Sequence, residues 1–451
     1  MAKQMYESPA ETERMMEEIC EQENCREALR RVKANKGSPG IDAMSVEDLP
    51  RYLVQHWPEV RAQLLTGTYQ PQPVKRVEIP KSDGGVRKLG VPTVLDRLIQ
   101  HAVLQVLQRR WDGNFSDHSY GFRPGRSAHQ AVARAQQYII EGYGFVVDLD
   151  LENFFDRVNH DRLMARIAQR VSDKRLLKLI RAFLTAGVME DGLVSAVEEG
   201  TPQGGPLSPL LSNLVLDELD IELERRGHRF VRFADDCNIY VRSERAGQRV
   251  MESITSFIEK RLKLKVNARK SAVARPEERT FLGFTFTRLG DPPELRRAIA
   301  PKALRRFKNR VREITRRNRG VSMKCRVEEL SAFLRGWRAY FGFCQTPEVF
   351  DGLDSWMRRR LRAVHWKQWR RPQRRCSELL KGGVSWVTAV CTASSSRGPW
   401  HLARSLALQV ALPNAYFDEL GLFRLSMTLG LTRRTAGCGI RMSGGVAGVR
   451  G

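Results

Sequence analysis

The chain has no Cys-x-x-Cys pair and no closely spaced histidines, although it contains eight cysteines and eight histidines. A structural zinc site is therefore not indicated, since such sites use short Cys and His spacings. No run of about 18 apolar residues is present, and the N-terminus has no apolar signal-peptide core. These absences disfavour secretion and membrane spanning. We therefore expect a cytoplasmic protein whose scattered cysteines stay reduced.

Acidic residues are scarce relative to basic ones. The 451 residues, enough for two or three domains, include 76 Lys and Arg against 51 Asp and Glu, a formal net charge of +25. Residues 301–380 alone hold 22 Lys and Arg against 7 Asp and Glu, a net charge of +15. Such a charge favours a polyanionic partner, and nucleic acid is the first candidate.

The basic region contains two long helix-like stretches, residues 301–319 and 350–371, in which apolar residues recur every three or four positions between arginines. Either these helices form a core with a solvated basic face, or they lie along a phosphate backbone. Four aromatic residues of this region are core or base-stacking candidates, and we expect at least two to be core. They are Trp337, Tyr340, Trp366 and Trp369.

The region between residues 62 and 290 mixes strand-like and helix-like segments. VKRVEIP (74–80) and VRKLGVP (86–92), joined by a Ser-Asp-Gly-Gly turn, predict a β-hairpin. Helical periodicity follows over 96–111 and 128–140. The pattern indicates an α+β fold.

Two acidic segments stand out in this region. In GFVVDLDLENFFDRVNH (144–160), the two-residue period of a strand places Asp148, Asp150 and Glu152 on one face. HRFVRFADDCNIYVRS (228–243) predicts two strands with the sequence FADD (233–236) at the turn. Clustered carboxylates repel one another unless a cation neutralises them, and Mg²⁺ suits one or two carboxylates together with substrate phosphates.

If the two acidic strands are neighbours, Asp150 and Asp235 would hold two metal ions about 3.5–4 Å apart, as in polymerase or nuclease chemistry. The alternative is that these acids are turn formers and solvated strand ends, and FADD alone does not decide between the two.

The order of several segments resembles that of bacterial group II intron-encoded reverse transcriptases. GSPGIDAMSVEDL (37–49) is similar to the extra N-terminal block of that family. LSAFLRGWRAYF (330–341), LDSWMRRRLRAVHWKQW (353–369) and SSSRGPWHLA (394–403) resemble its maturase region and C-terminal extension. The polymerase blocks are matched by IPKSDGGVRKLGVPTVLDRLIQ (79–100), SYGFRPGRSAHQAV (119–132), DLENFFDRVNHDRL (150–163), TPQGGPLSPLLSNLVLDELD (201–220), FADD, LKVNARKS (264–271) and FLGFTF (281–286).

The resemblance implies a right-hand polymerase with an antiparallel palm sheet, followed by an α-helical domain. It divides the chain into an N-terminal helical extension (1–61), fingers and palm (62–290), a thumb or maturase domain (301–385), a C-terminal extension that is a candidate for DNA binding (386–430) and a disordered tail (437–451).

The resemblance also assigns the metal site. Asp150, Asp235 and Asp236 would be catalytic, with Mg²⁺ held by Asp150, the backbone carbonyl of Leu151 and Asp235, and with Asp236 as the weaker ligand. The first residue of FADD is more often tyrosine in the family. That difference leaves the assignment intact because either ring packs under the turn.

The nucleotide site follows from the same resemblance. Lys81 and Arg87 would bind the triphosphate, Gln203 would support the nucleotide and Lys270 would lie near the metal site. Phe155 would block a ribose 2′-hydroxyl, with plain core packing as its alternative. Template or intron contacts are expected from six arginines, although the loop that carries the first two is equally explained as structural. They are Arg123, Arg126, Arg305, Arg306, Arg335 and Arg338.

The chain would then be an RNA-directed DNA polymerase and maturase that binds its group II intron RNA, promotes splicing and copies RNA into cDNA for intron mobility. Its partners would be group II intron RNA, an RNA template with a DNA primer, target DNA and dNTPs. No association with a membrane is expected. No His- and Cys-rich endonuclease cluster follows residue 400, so it resembles the members that lack this nuclease. The alternatives are a non-catalytic RNA-binding splicing cofactor and a reverse transcriptase domesticated for host defence.

Overall fold

The computed structural model describes residues 13–80, 85–190, 193–195, 200 and 204–426, with the backbone alone at Arg87. The described chain divides into two compact units, the first ending at Arg275 and the second beginning at Pro276. The predicted boundary after residue 290 therefore differs from the observed one. The FLGFTF segment belongs to the second unit because its strand packs against that unit's aromatic residues. The predicted tail at 437–451 lies outside the described residues.

The N-terminal helices are part of the first unit's core. They are α1 (Met15–Ile19), α2 (Gln22–Asn35) and α3 (Leu49–Thr66). Met16 is buried in the same apolar cluster as the central helices, and its N–H donates to Asp173 Oδ2 at 3.0 Å. The predicted end of a separate extension at residue 61 falls inside α3.

The first sheet contains the predicted hairpin. Its strands are β1 (Val74–Pro80), β2 (Val86–Val91), β4 (Val188–Glu190) and β5 (Leu193–Ser195), in the order β2-β1-β4-β5. The strands β1 and β2 are antiparallel, with Ile79 opposite Arg87 and Pro80 opposite Val86. The hairpin prediction is therefore confirmed for its two strands, while the turn at 81–84 lies outside the described residues.

The second sheet contains both acidic segments. Its strands are β3 (Phe145–Leu149), β6 (Arg229–Phe233), β7 (Asp236–Val241) and β8 (Ala272–Ala274), in the order β6-β7-β3-β8 with antiparallel pairing. The acidic strand and the FADD hairpin are thus neighbours, as the metal-site hypothesis requires. One detail differs, because β3 ends at Leu149 and Asp150 follows the strand.

Helices surround these two sheets. They are α4 (Val94–Trp111), α5 (Ala128–Ile140), α6 (His160–Ala168), α7 (Lys174–Thr185), α8 (Ser208–Arg225) and α9 (Glu244–Phe257). The starts of most are fixed by side-chain caps, such as the capping box between Ser127 and Gln130 at α5. Helices α5 and α9 pack against the second sheet.

The second unit begins with an antiparallel hairpin, β9 (Phe284–Leu289) and β10 (Glu294–Ile299), and continues as helices. The longer ones are α10 (Pro301–Ile314), α11 (Met323–Phe341), α12 (Glu348–Gln368), α13 (Pro372–Lys381) and α14 (Trp386–Ala393). The shorter ones are α15 (Pro399–Leu402), α16 (Leu406–Ala411) and α17 (Asn414–Glu419). No described helix is long and apolar enough to cross a bilayer. The cytoplasmic location stays a prediction.

Three of the four aromatic residues of the basic region, Trp337, Trp366 and Trp369, belong to the second unit's core or pack against it. Trp366 and Trp369 are buried, and Trp337 packs on Phe307 with 4.3 Å between ring centroids. Tyr340 is half-buried, and its hydroxyl donates to the carbonyl of Leu282 at 2.8 Å. The expectation that at least two are core is confirmed.

We predict that Met16→Ala lowers the free energy of unfolding by about 2–5 kcal/mol, because it opens a cavity in the first unit's core. Val54→Ala, at an exposed position of α3, is the control and should change stability by less than about 0.5 kcal/mol. Urea unfolding followed by circular dichroism measures both. Equal effects would mean that the N-terminal helices do not share this core.

Candidate active site

A two-residue turn presents the acidic pair. Phe233 and Asp236 are the last paired residues of β6 and β7, so Ala234 and Asp235 form the turn itself. Ala234 has φ 56°, the left-handed conformation that tight hairpin turns require. Asp235 therefore lies at the tip of the hairpin.

Strand pairing brings the second acidic segment to the same place. In the β3–β7 register, Asp148 lies opposite Asn238 and Leu149 opposite Cys237. Continued by one residue, this register sets Asp150 beside Asp236. Alternate residues share a face, so Asp148, Asp150 and Asp236 lie on one side of the sheet while Leu149 and Cys237 are buried on the other.

The site is strongly negative. Desolvation and the negative charges of Asp235, Asp148 and Asp150 raise the pKa of Asp236 to about 7, and Lys270 opposes them. The three neighbouring carboxylates thus add to the effect of desolvation on the pKa of Asp236. Like charges held together in this way favour a cation.

The backbone around Asp150 is held from the segment that follows α9. The Asp150 N–H donates to Ser271 Oγ at 3.0 Å, and the Asn267 N–H donates to the Asp150 carbonyl at 2.8 Å. Lys270 Nζ lies 3.8 Å from Asp150 Oδ2. Ser271 and Asn267 are site residues that the sequence interpretation missed, although both lie in the LKVNARKS block. Only the fold shows that this block pairs with residues 150–152.

The Leu151 carbonyl is available to a ligand. Leu151 forms an isolated antiparallel bridge with Val266. The two hydrogen bonds of this bridge involve the neighbouring residues. The Asp150 carbonyl accepts from the Asn267 N–H, and the Glu152 N–H donates to the Lys265 carbonyl at 2.8 Å. Glu152 pairs with Lys265 and Arg157.

The donor set fits Mg²⁺ completed by substrate. Within the described residues, no group of three or more His, Cys, Asp or Glu side chains is arranged to hold a metal by itself. The site instead offers Asp150, Asp235 and the Leu151 carbonyl. These are hard oxygen donors, and Mg²⁺ typically takes one or two carboxylates and completes its shell with substrate phosphates and water.

Phe155 lies five residues beyond Asp150 in a short 3₁₀ helix, Phe154–Asp156. It is half-buried, packs against the core cluster and contacts Phe154 with 5.2 Å between ring centroids. Both interpretations of Phe155, as a gate and as a core residue, are compatible with this placement.

The predicted nucleotide loop passes close to the first sheet. A Cβ added to Gly204 would lie 2.7 Å from the Gly90 carbonyl on β2, so only glycine permits this approach. Lys81 and Gln203 themselves lie outside the described residues, and the side chain of Arg87 is not described. Their roles stay predictions.

Arg123 lies in the loop for which a structural role and a nucleic-acid contact are both candidates. This side chain is buried, and its guanidinium donates to Asp112 Oδ1 at 2.9 Å and to the Ser119 carbonyl at 3.0 Å. Its donors are used inside the protein, which favours the structural interpretation of this loop, and a nucleic-acid contact by Arg123 stays a prediction. Arg126 is half-buried and pairs with Asp117.

The four arginines predicted in the second unit differ in exposure. Arg305 and Arg306 are exposed on α10, and Arg335 is exposed on α11. Arg338 is half-buried, donates to the Leu425 carbonyl at 2.8 Å and lies 4.4 Å from the Phe350 ring centroid. Arg338 therefore has a structural task, whereas the other three are exposed, with the Arg335 guanidinium 5.9 Å from the Phe423 ring centroid.

A basic cleft in the second unit is a candidate site that the sequence interpretation missed, although part of it lies in the SSSRGPWHLA segment. This open cleft of about 590 Å³ is lined by Arg359, Arg397 and Arg404, with His401 beside them and no carboxylate among its described lining residues. Burial and the charge of Arg404 lower the pKa of Arg359. Three cations gathered without an acid form a favourable anion site.

Comparison with known proteins agrees with this geometry. Residues 79–286 match the family model described as "Reverse transcriptase (RNA-dependent DNA polymerase)", and residues 304–381 match "Group II intron, maturase-specific domain". "Protein YkfC" of Escherichia coli K12 is 33% identical over 314 residues, which cover 61% of this chain and 81% of that protein.

Two further likenesses cover less. "Group II intron-encoded protein LtrA" of Lactococcus lactis is 42% identical over 158 residues, 35% of this chain and only 26% of LtrA. A solved "Partial Cas6-RT-Cas1--Cas2 complex" shares 24% identity with a TM-score of 0.36, covering 54% of this chain and 42% of that one.

The chain therefore belongs to the reverse transcriptases, which are RNA-directed DNA polymerases. Its maturase-specific segment places it with the group II intron-encoded reverse transcriptases and maturases of that family.

We predict that Asp236→Asn stabilises the metal-free protein, and more so at pH 8 than at pH 5. The carboxyl has its pKa raised from the usual 3.8 to about 7, so its ionisation costs stability increasingly between these pH values. Solvent screening should limit the gain to about 1 kcal/mol. Urea unfolding in EDTA measures it, with the exposed Asp156→Asn as control. A gain that is larger at pH 5 would contradict the acidic-cluster assignment.

Proposed function

We propose that the chain copies RNA into DNA by two-Mg²⁺ nucleotidyl transfer and assists splicing of its own group II intron, so that the intron can move to new DNA sites. The observation that carries the proposal is the β3–β7 register, which sets Asp150 beside the FADD turn. The matched segment covers only a quarter of LtrA, so the substrates and partners of the whole protein belong to the proposal.

Each residue has a task in this reaction. Asp150, Asp235 and the Leu151 carbonyl hold the metal ions, and Asp236 adds negative charge beside them. Bound Mg²⁺ would activate the primer 3′-hydroxyl and stabilise the departing pyrophosphate. The 3′-oxygen attacks the α-phosphorus of the dNTP while the bond to the bridging oxygen breaks, which lengthens the primer by one nucleotide.

The surrounding residues select and orient the nucleotide. Lys81 and Arg87 bind its triphosphate, Gln203 supports it, and Phe155 excludes a 2′-hydroxyl by contact. Lys270, 3.8 Å from Asp150, offsets part of the negative charge when metal is absent. The exposed Arg305, Arg306 and Arg335 contribute to the binding of intron RNA through contacts with its phosphates.

We further propose that the basic cleft of Arg359, Arg397 and Arg404 binds a phosphate of the target DNA. Trp400 supports the cleft, since Arg359 donates to its carbonyl at 2.9 Å and stacks 3.8 Å from its ring centroid. Trp386, 67% exposed on α14, presents an apolar surface in the same region of the chain. Arginine beside exposed aromatic surface is a frequent setting for nucleic-acid contact.

Asp235→Asn should lower cDNA synthesis on a primed RNA template by more than about a hundredfold. Loss of a residue that only hydrogen-bonds to a metal ligand already lowers metal affinity or activity by about 10–100-fold, and Asp235 is proposed as a ligand itself. Asp161→Asn, exposed at the start of α6, is the control and should retain activity. Undiminished synthesis by Asp235→Asn would refute the metal site.

Splicing by the same variant separates the two halves of the function. A maturase role that needs only RNA binding predicts normal splicing of the cognate intron by Asp235→Asn. If wild type and variant both splice but neither synthesises cDNA, the chain is a non-catalytic splicing cofactor.

The double variant Arg397→Gln/Arg404→Gln should weaken DNA binding and lower the slope of log K against log salt by about 1 for each phosphate that the cleft no longer neutralises. Fluorescence anisotropy over a salt series measures the slope. Arg288→Gln/Arg296→Gln removes the same charge from the β9–β10 hairpin, where both arginines already pair with glutamates. Equal slopes for the two double variants would exclude the cleft as a DNA-binding site.

A further inference from the structure

A fully buried ion pair lies beneath the metal-bearing turn. Arg232 on β6 and Asp220 on α8 both have side chains with 0% exposure. The pair is bidentate, with Nε to Oδ1 at 2.7 Å and Nη2 to Oδ2 at 2.5 Å. Replacing a buried pair by packed apolar side chains is often neutral or stabilising, so stability alone is a weak reason to bury one.

The remaining guanidinium nitrogen holds the turn. Arg232 Nη1 donates to the Ala234 carbonyl at 2.9 Å and to Asn213 Oδ1 at 3.0 Å. Ala234 directly precedes Asp235 and has the left-handed backbone that a residue with a Cβ adopts only when its surroundings impose it. Arg232 is one such constraint, and it acts one peptide bond away from the metal-ligand candidate.

The same network holds the YGFRPGR loop against the turn. Asn213 Nδ2 donates to the Gly121 carbonyl at 2.9 Å, and the Tyr120 N–H donates to the Arg232 carbonyl at 2.9 Å. A Cβ added to Gly121 would lie 2.3 Å from the Ala234 nitrogen, so this loop approaches the turn as closely as glycine allows.

We propose that Arg232, oriented by Asp220 and Asn213, is a positioning residue that fixes the Asp235 carboxylate for metal binding. The network makes the FADD turn and the Tyr120–Gly121 segment one hydrogen-bonded unit. The inference rests on the proposed function, because it assumes that Asp235 is a metal ligand.

Arg232→Lys tests the positioning role directly. Lysine keeps the positive charge, but its single ammonium group cannot donate to Asp220 and to the Ala234 carbonyl in the way that the planar guanidinium does. Arg229→Lys is the matched control, because it makes the same substitution at an exposed position of the same strand. Mn²⁺ affinity, measured by electron paramagnetic resonance on the protein with primer–template, gives a readout without turnover. The Mg²⁺ concentration for half-maximal cDNA synthesis gives a second.

We expect Arg232→Lys to weaken Mn²⁺ binding and to raise the half-saturating Mg²⁺ concentration by about 10-fold or more, with Arg229→Lys equal to wild type. If Arg232→Lys does not fold, Asn213→Ala decides by the same readouts. It removes one hydrogen bond to Arg232 and one to Gly121, and we expect a smaller shift in the same direction.

A folded variant with a lower melting temperature but unchanged metal dependence would overturn the proposal, because a merely structural role moves stability alone. The variant Asp235→Asn distinguishes failure of the positioning role from failure of the proposed function. If Asp235→Asn is inactive while Arg232→Lys keeps normal metal dependence, only the positioning role is wrong. If Asp235→Asn is fully active, the metal-site assignment itself is wrong.

Discussion

The antiparallel pairing of β3 with β7 is the constraint on which the candidate site depends. It joins residues 88 to 96 positions apart in sequence and sets several carboxylates on one face. Their mutual repulsion opposes the pairing and contributes, after desolvation, to the raised pKa of Asp236. The opposite face offsets it, because Val147 and Ile239 lie opposite each other in the ladder and are both fully buried. Apolar burial on one side thus holds acidic groups together on the other.

The arginines of this strongly basic chain have two distinct tasks. Arg123 and Arg232 are buried, and their donors are satisfied by carboxylates and carbonyls, so they shape the loops around the active site. Arg305 and Arg335 are exposed on helices of the second unit. Sequence charge counts both kinds alike, although only exposed cations exchange counterions for phosphates. Nucleic-acid contacts therefore have to be inferred from burial.

Each unit has a core of its own. The acidic site belongs to the first unit, whose core includes the N-terminal helices. The basic helices and the Arg359 cleft belong to the second, whose core includes Trp366 and the β9–β10 hairpin residue Ile299. Substitutions confined to one unit therefore allow the acidic site and the basic cleft to be examined by separate variants.

The sequence by itself determined the α+β class, both hairpins, the acidic segments and the family, because these follow from local periodicity, turn chemistry and ordered motifs. It did not determine that Arg123 is buried, that Ser271 supports Asp150, or that Arg232 and Asp220 meet beneath the FADD turn. These contacts join residues whose approach depends on sheet order and helix packing. The residue types alone are equally compatible with solvent exposure. Only the tertiary structure decides which polar groups lose water and must therefore find a partner within the protein.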